Sequence, residues 1–464
     1  MSDRPTKPPS SAARLINPTV RNYMEVLNLQ RFYGGYVISA VPESLLNLGI
    51  GEVGNMPQLE ELFAAYQRFI STAELATLAQ QYSGTMGEQE TNRLLAEAMN
   101  RWVGANRFAE DRVVSLDGGQ NAVDVAVRAF TSPLGSPEGR KQYVLMAAPS
   151  YPYFSAIIAA HAGMQAFLAY DGEGFARGVE TYCNPAVGLI LINIPHNPMG
   201  YGLTAEQVRR IDRVAATYDC AILVDSVYAS YVDDPEVGRA LAGFDPERTV
   251  FCESFSKRFG FPGLRLGFAV SASEPLAYAM RFVKMSESLT PSNVTLAFAG
   301  HLLANYGDYP AMIAAEVRGR RHRFLAAFRP PEEAKVGVFD GRPNPFYLTL
   351  DVAHAVERSG LSDTEIAQYC QKMHDLRVFP GGFVYPNSSL PHALFSAAGR
   401  LNPSGDPPYL APSYPEGAQI VYSPDFYTGR TPLLRLSFGM ETRMEAAATA
   451  LSAALSRLAQ GGAG

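Results

Sequence analysis

The sequence predicts an α/β fold: a large domain with a mostly parallel central sheet flanked by helices, joined to a smaller α+β domain. Three observations predict it. From about residue 113 onward, short apolar runs alternate with helix-length amphipathic stretches, the order expected of βαβ units. Several of these runs are followed at once by chemically distinctive residues, at the strand ends where open α/β sheets carry ligands. After about Pro330 the alternation changes to strand-like segments separated by helices, which marks a second, smaller unit.

The elements are justified in chain order. Residues 1–12 are rich in Pro and Ser and read as a tail. Residues 1–55 are expected to join the small domain, residues 56–325 to form the large domain, and residues 326–464 to form the small C-terminal domain. Residues 60–80 carry helical spacing. Strands are expected at 113–116, 143–147, 165–170, 188–193, 221–224, 249–252 and 266–270. Residues 204–218 read as a helix opened by a capping box of Thr204 and Gln207. In the small domain, PFYLTLDV (345–352) and FPGGFVY (379–385) are apolar segments, and 441–458 is a closing helix. Between them, 386–430 is a stretch of 45 residues rich in Pro, Gly, Ser and Tyr. Structureless loops beyond about 12–15 residues are uncommon and are often lids, so this insertion is either a lid or a surface excursion.

Composition narrows the function. A chain of 464 residues, 47% hydrophobic, can bury a core without disulfides. Its 39 basic and 45 acidic residues give a net charge of -6 without a Lys/Arg block, so neither nucleic acid nor an anionic membrane is an expected partner. No apolar run approaches the roughly 18 residues of a membrane span. The first residues lack the apolar core of a signal peptide, so a cytoplasmic location is expected. The 4 cysteines are dispersed without a C-x-x-C pattern, and the 7 histidines without an H-x-x-x-H pair, so reduced thiols and no zinc site are expected.

Six segments carry chemistry. The most informative runs from Ser254 to Gly267, where Lys257 lies beside the hydroxyls of Ser254 and Ser256 and eight residues before Arg265. Hydroxyls and an arginine around a lysine suit a phosphate held beside an amine, and such an amine can form a Schiff base with a bound aldehyde phosphate. Asp225 ends an apolar run, where a carboxylate can keep a pyridine nitrogen protonated and make the ring an electron sink. Tyr228, three residues on, can donate to a ring oxygen. In Ile194–Gly200, two prolines and a glycine fix a turn that presents Asn197. Gly118, Gly119 and Gln120 precede a helical run, so backbone amides and the helix terminus favour an anion there. Tyr151, after another run, can stack on a flat ring. Arg435 interrupts an apolar strand and needs a partner such as a substrate carboxylate. Each has an ordinary reading on its own: a surface lysine, a helix N-cap, an Asx turn, a bare Gly-Gly turn, a core aromatic, a buried ion pair.

Together and in this order the segments resemble the class I/II aminotransferase family of fold-type I pyridoxal-phosphate-dependent enzymes, from about Asn47 to the last helix. The S-x-S-K-x-x-G-x-x-G-x-R-x-G pattern, with D-x-x-Y 32 residues before the lysine, is specific. The resemblance implies pyridoxal 5'-phosphate as cofactor, with Lys257, Asp225 and Tyr228 as catalytic residues. It implies cofactor binding by Gly118, Gly119, Gln120, Tyr151, Asn197, Ser254, Ser256 and Arg265. Arg435, Asn197 and Gly51 of the Leu48–Gly51 motif are the implied substrate-binding residues. Tyr82, with Gly87 five residues later, resembles the tyrosine that reaches across a homodimer interface to the partner's phosphate. The implied reaction is transamination of an amino acid through external aldimine and quinonoid intermediates.

The chain departs from the commonest family pattern at Val53, Gly54, Thr91 and Met199 and in the long stretch between Gly382 and Arg435. Met199, the Phe261–Gly263 stretch and Tyr33-Gly-Gly-Tyr36 are also similar to the 1-aminocyclopropane-1-carboxylate synthase branch. That similarity implies an alternative: elimination with cyclisation or annulation on a γ-substituted amino acid such as S-adenosylmethionine. A DNA-binding regulator of related fold is not expected, because the roughly 45 residues before the glycine motif hold no basic recognition helix.

Overall fold

In a computed structural model the described residues are 42–72, 74–136, 141–339, 343–386, 420–426 and 428–461. The strands, in chain order, are β1 (Leu46–Asn47), β2 (Val113–Leu116), β3 (Tyr143–Ala148), β4 (Gly163–Leu168) and β5 (Val187–Asn193). They continue as β6 (Ala221–Asp225), β7 (Thr249–Ser254), β8 (Gly267–Ser271), β9 (Gly337–Phe339) and β10 (Tyr347–Asp351). The last are β11 (Leu376–Arg377), β12 (Phe379–Pro380), β13 (Ile420–Tyr422) and β14 (Leu433–Ser437).

Eight strands form the main sheet in the order β13-β4-β3-β5-β6-β7-β8-β2. Neighbours from β13 to β7 are parallel; β8 runs antiparallel to both β7 and β2. The expected α/β class with a mostly parallel sheet is therefore correct. Its faces follow the period-2 rule of strands. Val144 and Met146 of β3 pack into one apolar layer with Val123, Ile158 and Met280 of the covering helices. The intervening Leu145 and Ala147 pack into the opposite layer, against helices carrying Phe175, Val179, Val208 and Ile211. Helices on both faces explain why the strand sequences are continuously apolar rather than alternating.

All seven expected strands are present, β2 with the expected ends and the other six with shifted ones. β4 starts at Gly163 rather than 165, because it must pair from its first residue with Tyr143. The eighth, β13, went unread: Ile420–Tyr422 is three residues long inside a Pro/Gly-rich stretch, and only its parallel pairing with β4 makes it a strand. The rest of the insertion, 387–419, lies outside the described residues, as do the tail and Tyr33–Tyr36.

The helix at Ala205–Tyr218 opens with the expected capping box: the Thr204 hydroxyl accepts from the Gln207 amide, and Gln207 accepts from the Thr204 amide at 2.9 Å. The helical spacing over 60–80 resolves into Pro57–Ile70 and Glu74–Gln80, and the closing helix is Met444–Ala459. A second sheet, β12-β14-β10-β9, is antiparallel, and β1 pairs with β11 beside it. Among the described residues no helix is long and apolar enough to cross a membrane.

Candidate active site

A cavity of about 290 Å³ lies where the C-terminal ends of the parallel strands meet the antiparallel sheet. Strand ends deliver Asn193, Asp225 and Ser254, the first turn of the helix after β2 delivers Gly119 and Gln120, the loop after β3 delivers Tyr151, and β10, β12 and β14 deliver Tyr347, Phe379 and Arg435. Segments distant in sequence thus converge on one space, as at the ligand crevices of open α/β sheets.

Asp225 closes β6 and is 5% exposed. Asn193 Nδ2 donates to its carboxylate at 3.0 Å, the Val227 amide donates at 3.3 Å, and no cation pairs with it among the described residues. Burial without a cation pushes its carboxyl up to about 7. A buried carboxylate of this kind lacks the positive partner that a protonated ring nitrogen would supply.

Lys257 follows β7 and donates from Nζ to the Gly51 carbonyl. Burial, with Arg435 and Arg265 nearby, pushes its amine down to about 8 although Glu52 opposes the shift. A lysine in this range has a share of neutral amine near physiological pH, as a nucleophile or base requires.

The phosphate expectation finds a cradle. The helix Gly119–Phe130 starts at the cavity with no side chain capping it. Gly118 sits at φ 98°, and a Cβ there would lie 2.8 Å from Arg265 Nη2. A Cβ on Gly119 would lie 2.8 Å from Val227, so the backbone comes this close at residue 119 only because it is a glycine. Ser254 Oγ donates to Ser256 Oγ at 3.0 Å, and Arg265 Nη2 donates to the Asp117 carbonyl at 3.0 Å. Uncapped amides, two hydroxyls and a guanidinium form a donor set matched to a phosphate.

Arg435, in the middle of β14, is 4% exposed. The ion pair that an arginine in an apolar strand could make is not found: no carboxylate pairs with it among the described residues. Nη1 donates to Asn197 Oδ1 at 3.3 Å and Nη2 to the Gly49 carbonyl at 2.9 Å, while Nε has no partner. The guanidinium lies 4.1 Å from the Phe379 ring centre and 4.6 Å from that of Tyr347. A buried, clamped cation without an acid is incomplete until an anion arrives.

Asn197 stands in a turn whose Ile194–Pro195 and Asn197–Pro198 bonds are cis, and its amide donates to Asn193 Oδ1 at 2.7 Å. The hydroxyls of Tyr228 and Tyr347 are hydrogen-bonded to each other, and burial keeps both protonated. Tyr151 lines the same cavity.

Two sequence-predicted residues stand apart. Gly118 does not face the cavity and acts as the N-cap behind it. Tyr82 lies outside it and is 84% exposed. Met199 is buried in the core rather than in the cavity, and Thr91 in the helix Gln89–Val103 donates to the Leu296 carbonyl. Sequence reasoning missed Asn193, Tyr347, Phe379 and Glu52, all of which line the cavity. Asn193 had a signal, an amide closing an apolar strand; the others had none in their own segments.

Comparison with known proteins agrees with this geometry. The family described as aminotransferase class I and II matches residues 43–409. Aromatic-amino-acid aminotransferase 2 of Thermococcus litoralis is 25% identical over 347 residues, covering 73% of this chain and 84% of the relative. Aspartate aminotransferase of Pyrococcus abyssi is 24% identical over 365 residues, covering 77% and 88%. The solved structure of aspartate aminotransferase from Thermotoga maritima superposes with a TM-score of 0.68 at 18% identity, covering 94% of this chain and 99% of that one, and so shares the fold. The relatives named are aminotransferases, which favours transamination over the elimination or cyclisation alternative and leaves S-adenosylmethionine unsupported. The cofactor is pyridoxal 5'-phosphate and the substrates are amino acids. With most of its length matched and the cavity holding a lysine, a buried carboxylate, a phosphate cradle and an unpaired arginine, this chain belongs to the class I and II aminotransferases.

Proposed function

We propose that this cavity is the transamination site, with Lys257, Asp225 and Arg435 as its three anchors. One observation carries the reading: the half-buried lysine amine, the buried carboxylate without a cation and the buried guanidinium without an acid open onto the same space.

When bound, pyridoxal 5'-phosphate supplies an aldehyde that condenses with amines and a ring that accepts the electron pair of a broken Cα–H bond. Lys257 would hold it covalently through Nζ, and the amide groups of Gly119 and Gln120 would hold its phosphate with Ser254, Ser256 and Arg265. Asp225 keeps the ring nitrogen protonated. Tyr228 and Asn197 would donate to its phenolic oxygen, and Tyr151 would offer an aromatic ring to stack on it. Arg435 takes the substrate α-carboxylate, with Gly51 leaving room beside it. Once its own amine is free, Lys257 removes the proton from the substrate α-carbon. Phe379 and Tyr347 keep water from the guanidinium. The purified holoenzyme should show the visible absorbance of the bound cofactor, and borohydride should fix that cofactor to Lys257. Fixation at another lysine would overturn the assignment.

The finer expectations form part of the same reading. A homodimer is supported by exposed apolar residues on the 82–86 loop and on the helix Glu274–Ser288, with Tyr82 84%, Tyr278 62% and Phe282 60% exposed. Sedimentation of the holoenzyme as a monomer would refute it. A large unit at 56–325 and a small one built from 1–55 and 326–464 is supported by the second sheet, whose strands all come from Gly337 onward, although β13 from the same stretch joins the main sheet. A cytoplasmic location is supported by the four free thiols, of which Cys183 and Cys220 are hydrogen-bonded at 3.7 Å and not joined as a disulfide.

A further inference from the structure

Five charged side chains line the cavity: Glu52, Asp225, Lys257, Arg265 and Arg435. The transaminase reading gives work to four of them. Glu52 is left over, and among the described residues its carboxylate makes no hydrogen bond or ion pair.

Its position follows from its neighbours. The Gly49 carbonyl accepts from Arg435 at 2.9 Å, and the Gly51 carbonyl accepts from Lys257. The 49–51 segment therefore runs between the cation that takes the α-carboxylate and the amine that serves the α-carbon. Glu52 comes next, lines the same cavity and acts electrostatically on the Lys257 amine. The cavity wall also includes the uncharged Ile50, Tyr153, Pro262 and Phe379. A carboxylate among apolar and aromatic walls gains most from a cation: the ion pair is charge-assisted, and aromatic faces favour positive charge. It repels a second carboxylate.

We propose that Glu52 binds the end of the substrate side chain and selects amino acids whose side chain carries a cation over those ending in a carboxylate. This rests on the transaminase reading above. Holoenzyme given a single amino donor tests it, with conversion of the cofactor followed by its absorbance. L-lysine, L-ornithine, L-norleucine and L-glutamate serve as donors, norleucine being of similar length to lysine without the charge. Lysine or ornithine should exceed norleucine by about tenfold or more in kcat/KM, as a charge-assisted pair of about 1.4 kcal/mol implies, with glutamate slowest. Glu52→Gln should bring the lysine-to-norleucine ratio close to one and raise glutamate relative to both. Glu52→Asp should retain part of the preference, which separates loss of charge from loss of folding. Equal rates for lysine and norleucine, or a ratio untouched by Glu52→Gln, would overturn the inference while leaving transamination standing. If no amino acid converts the cofactor, the transaminase reading fails and this inference falls with it.

Discussion

Asn193 Nδ2 donates to the Asp225 carboxylate at 3.0 Å while Asn193 Oδ1 accepts the Asn197 amide at 2.7 Å. The two residues at the first contact are register partners on adjacent parallel strands, so the sheet itself sets them side by side. One carboxamide thereby fixes both the acid at the floor of the cavity and the turn that presents Asn197. Asn193→Ala should leave Asp225 with one donor fewer and loosen that turn. Cofactor affinity should fall by about tenfold, the worth of one such bond to a charged group. Equilibrium titration of cofactor-free protein measures it, and an unaltered affinity would confine Asn193 to a folding role.

Arg435 has two donors fixed by Asn197 and Gly49 and its plane held between two rings. Arg435→Lys keeps the charge and loses the fork. KM for the amino donor should rise by roughly 10–100-fold, the worth of a lost bidentate contact. Steady-state kinetics with the keto-acid acceptor held saturating would show it. An unchanged KM would mean that the α-carboxylate binds elsewhere.

The cofactor-free protein should carry an unusual pH signature. Burial pushes Asp225 up to about 7, against about 3.9 for an unfolded chain. The native state therefore holds a proton between about pH 4 and 7 that the unfolded state has lost. The contribution of Asp225 is full below about pH 4 and disappears as pH rises through 7. Lys257 acts in a different window. Its amine is pushed down to about 8, against about 10.4 unfolded, so stability from this group rises from pH 8 to about 10.4. Urea midpoints of the wild type and Asp225→Asn should differ by a constant amount above pH 7, where the variant escapes the buried charge, and converge as pH falls toward 4. A constant offset at every pH would refute the assignment of the slope to Asp225.

Arg320 is fully buried and donates to the carbonyls of Gly54 and Gly439 at 3.0 and 2.9 Å, to that of Asn55, and to Glu316. It ties the segment after the glycine motif to the end of β14. Arg320→Met fills the volume but strands three carbonyls, so unfolding free energy should drop by about 3–5 kcal/mol. Chemical denaturation would register the loss. A change below about 1 kcal/mol would mean that water replaces the guanidinium.

Local sequence was sufficient wherever one segment carries its own geometry. The apolar runs of β2 through β8 declare buried strands because both of their faces are covered, and Thr204 with Gln207 declares a helix start through bonds within four residues. Asp225, Lys257, Asn197 and Tyr151 were legible because each follows such a run, and a strand's C-terminal end is where a parallel sheet presents ligands. Contacts between distant segments left no such trace. Ile420–Tyr422 becomes a strand only by lying along β4. Tyr347 and Phe379 reach Arg435 only because β10 and β12 flank β14, and Glu52 enters the cavity only because the chain near residue 50 passes between Lys257 and Arg435. The sequence by itself determined the α/β class and the residues at the strand ends, since both follow from periodicity and short-range chemistry. Only the tertiary structure decided which side chains share the cavity and which charges stay unpaired, because proximity across hundreds of residues depends on how the sheets pack.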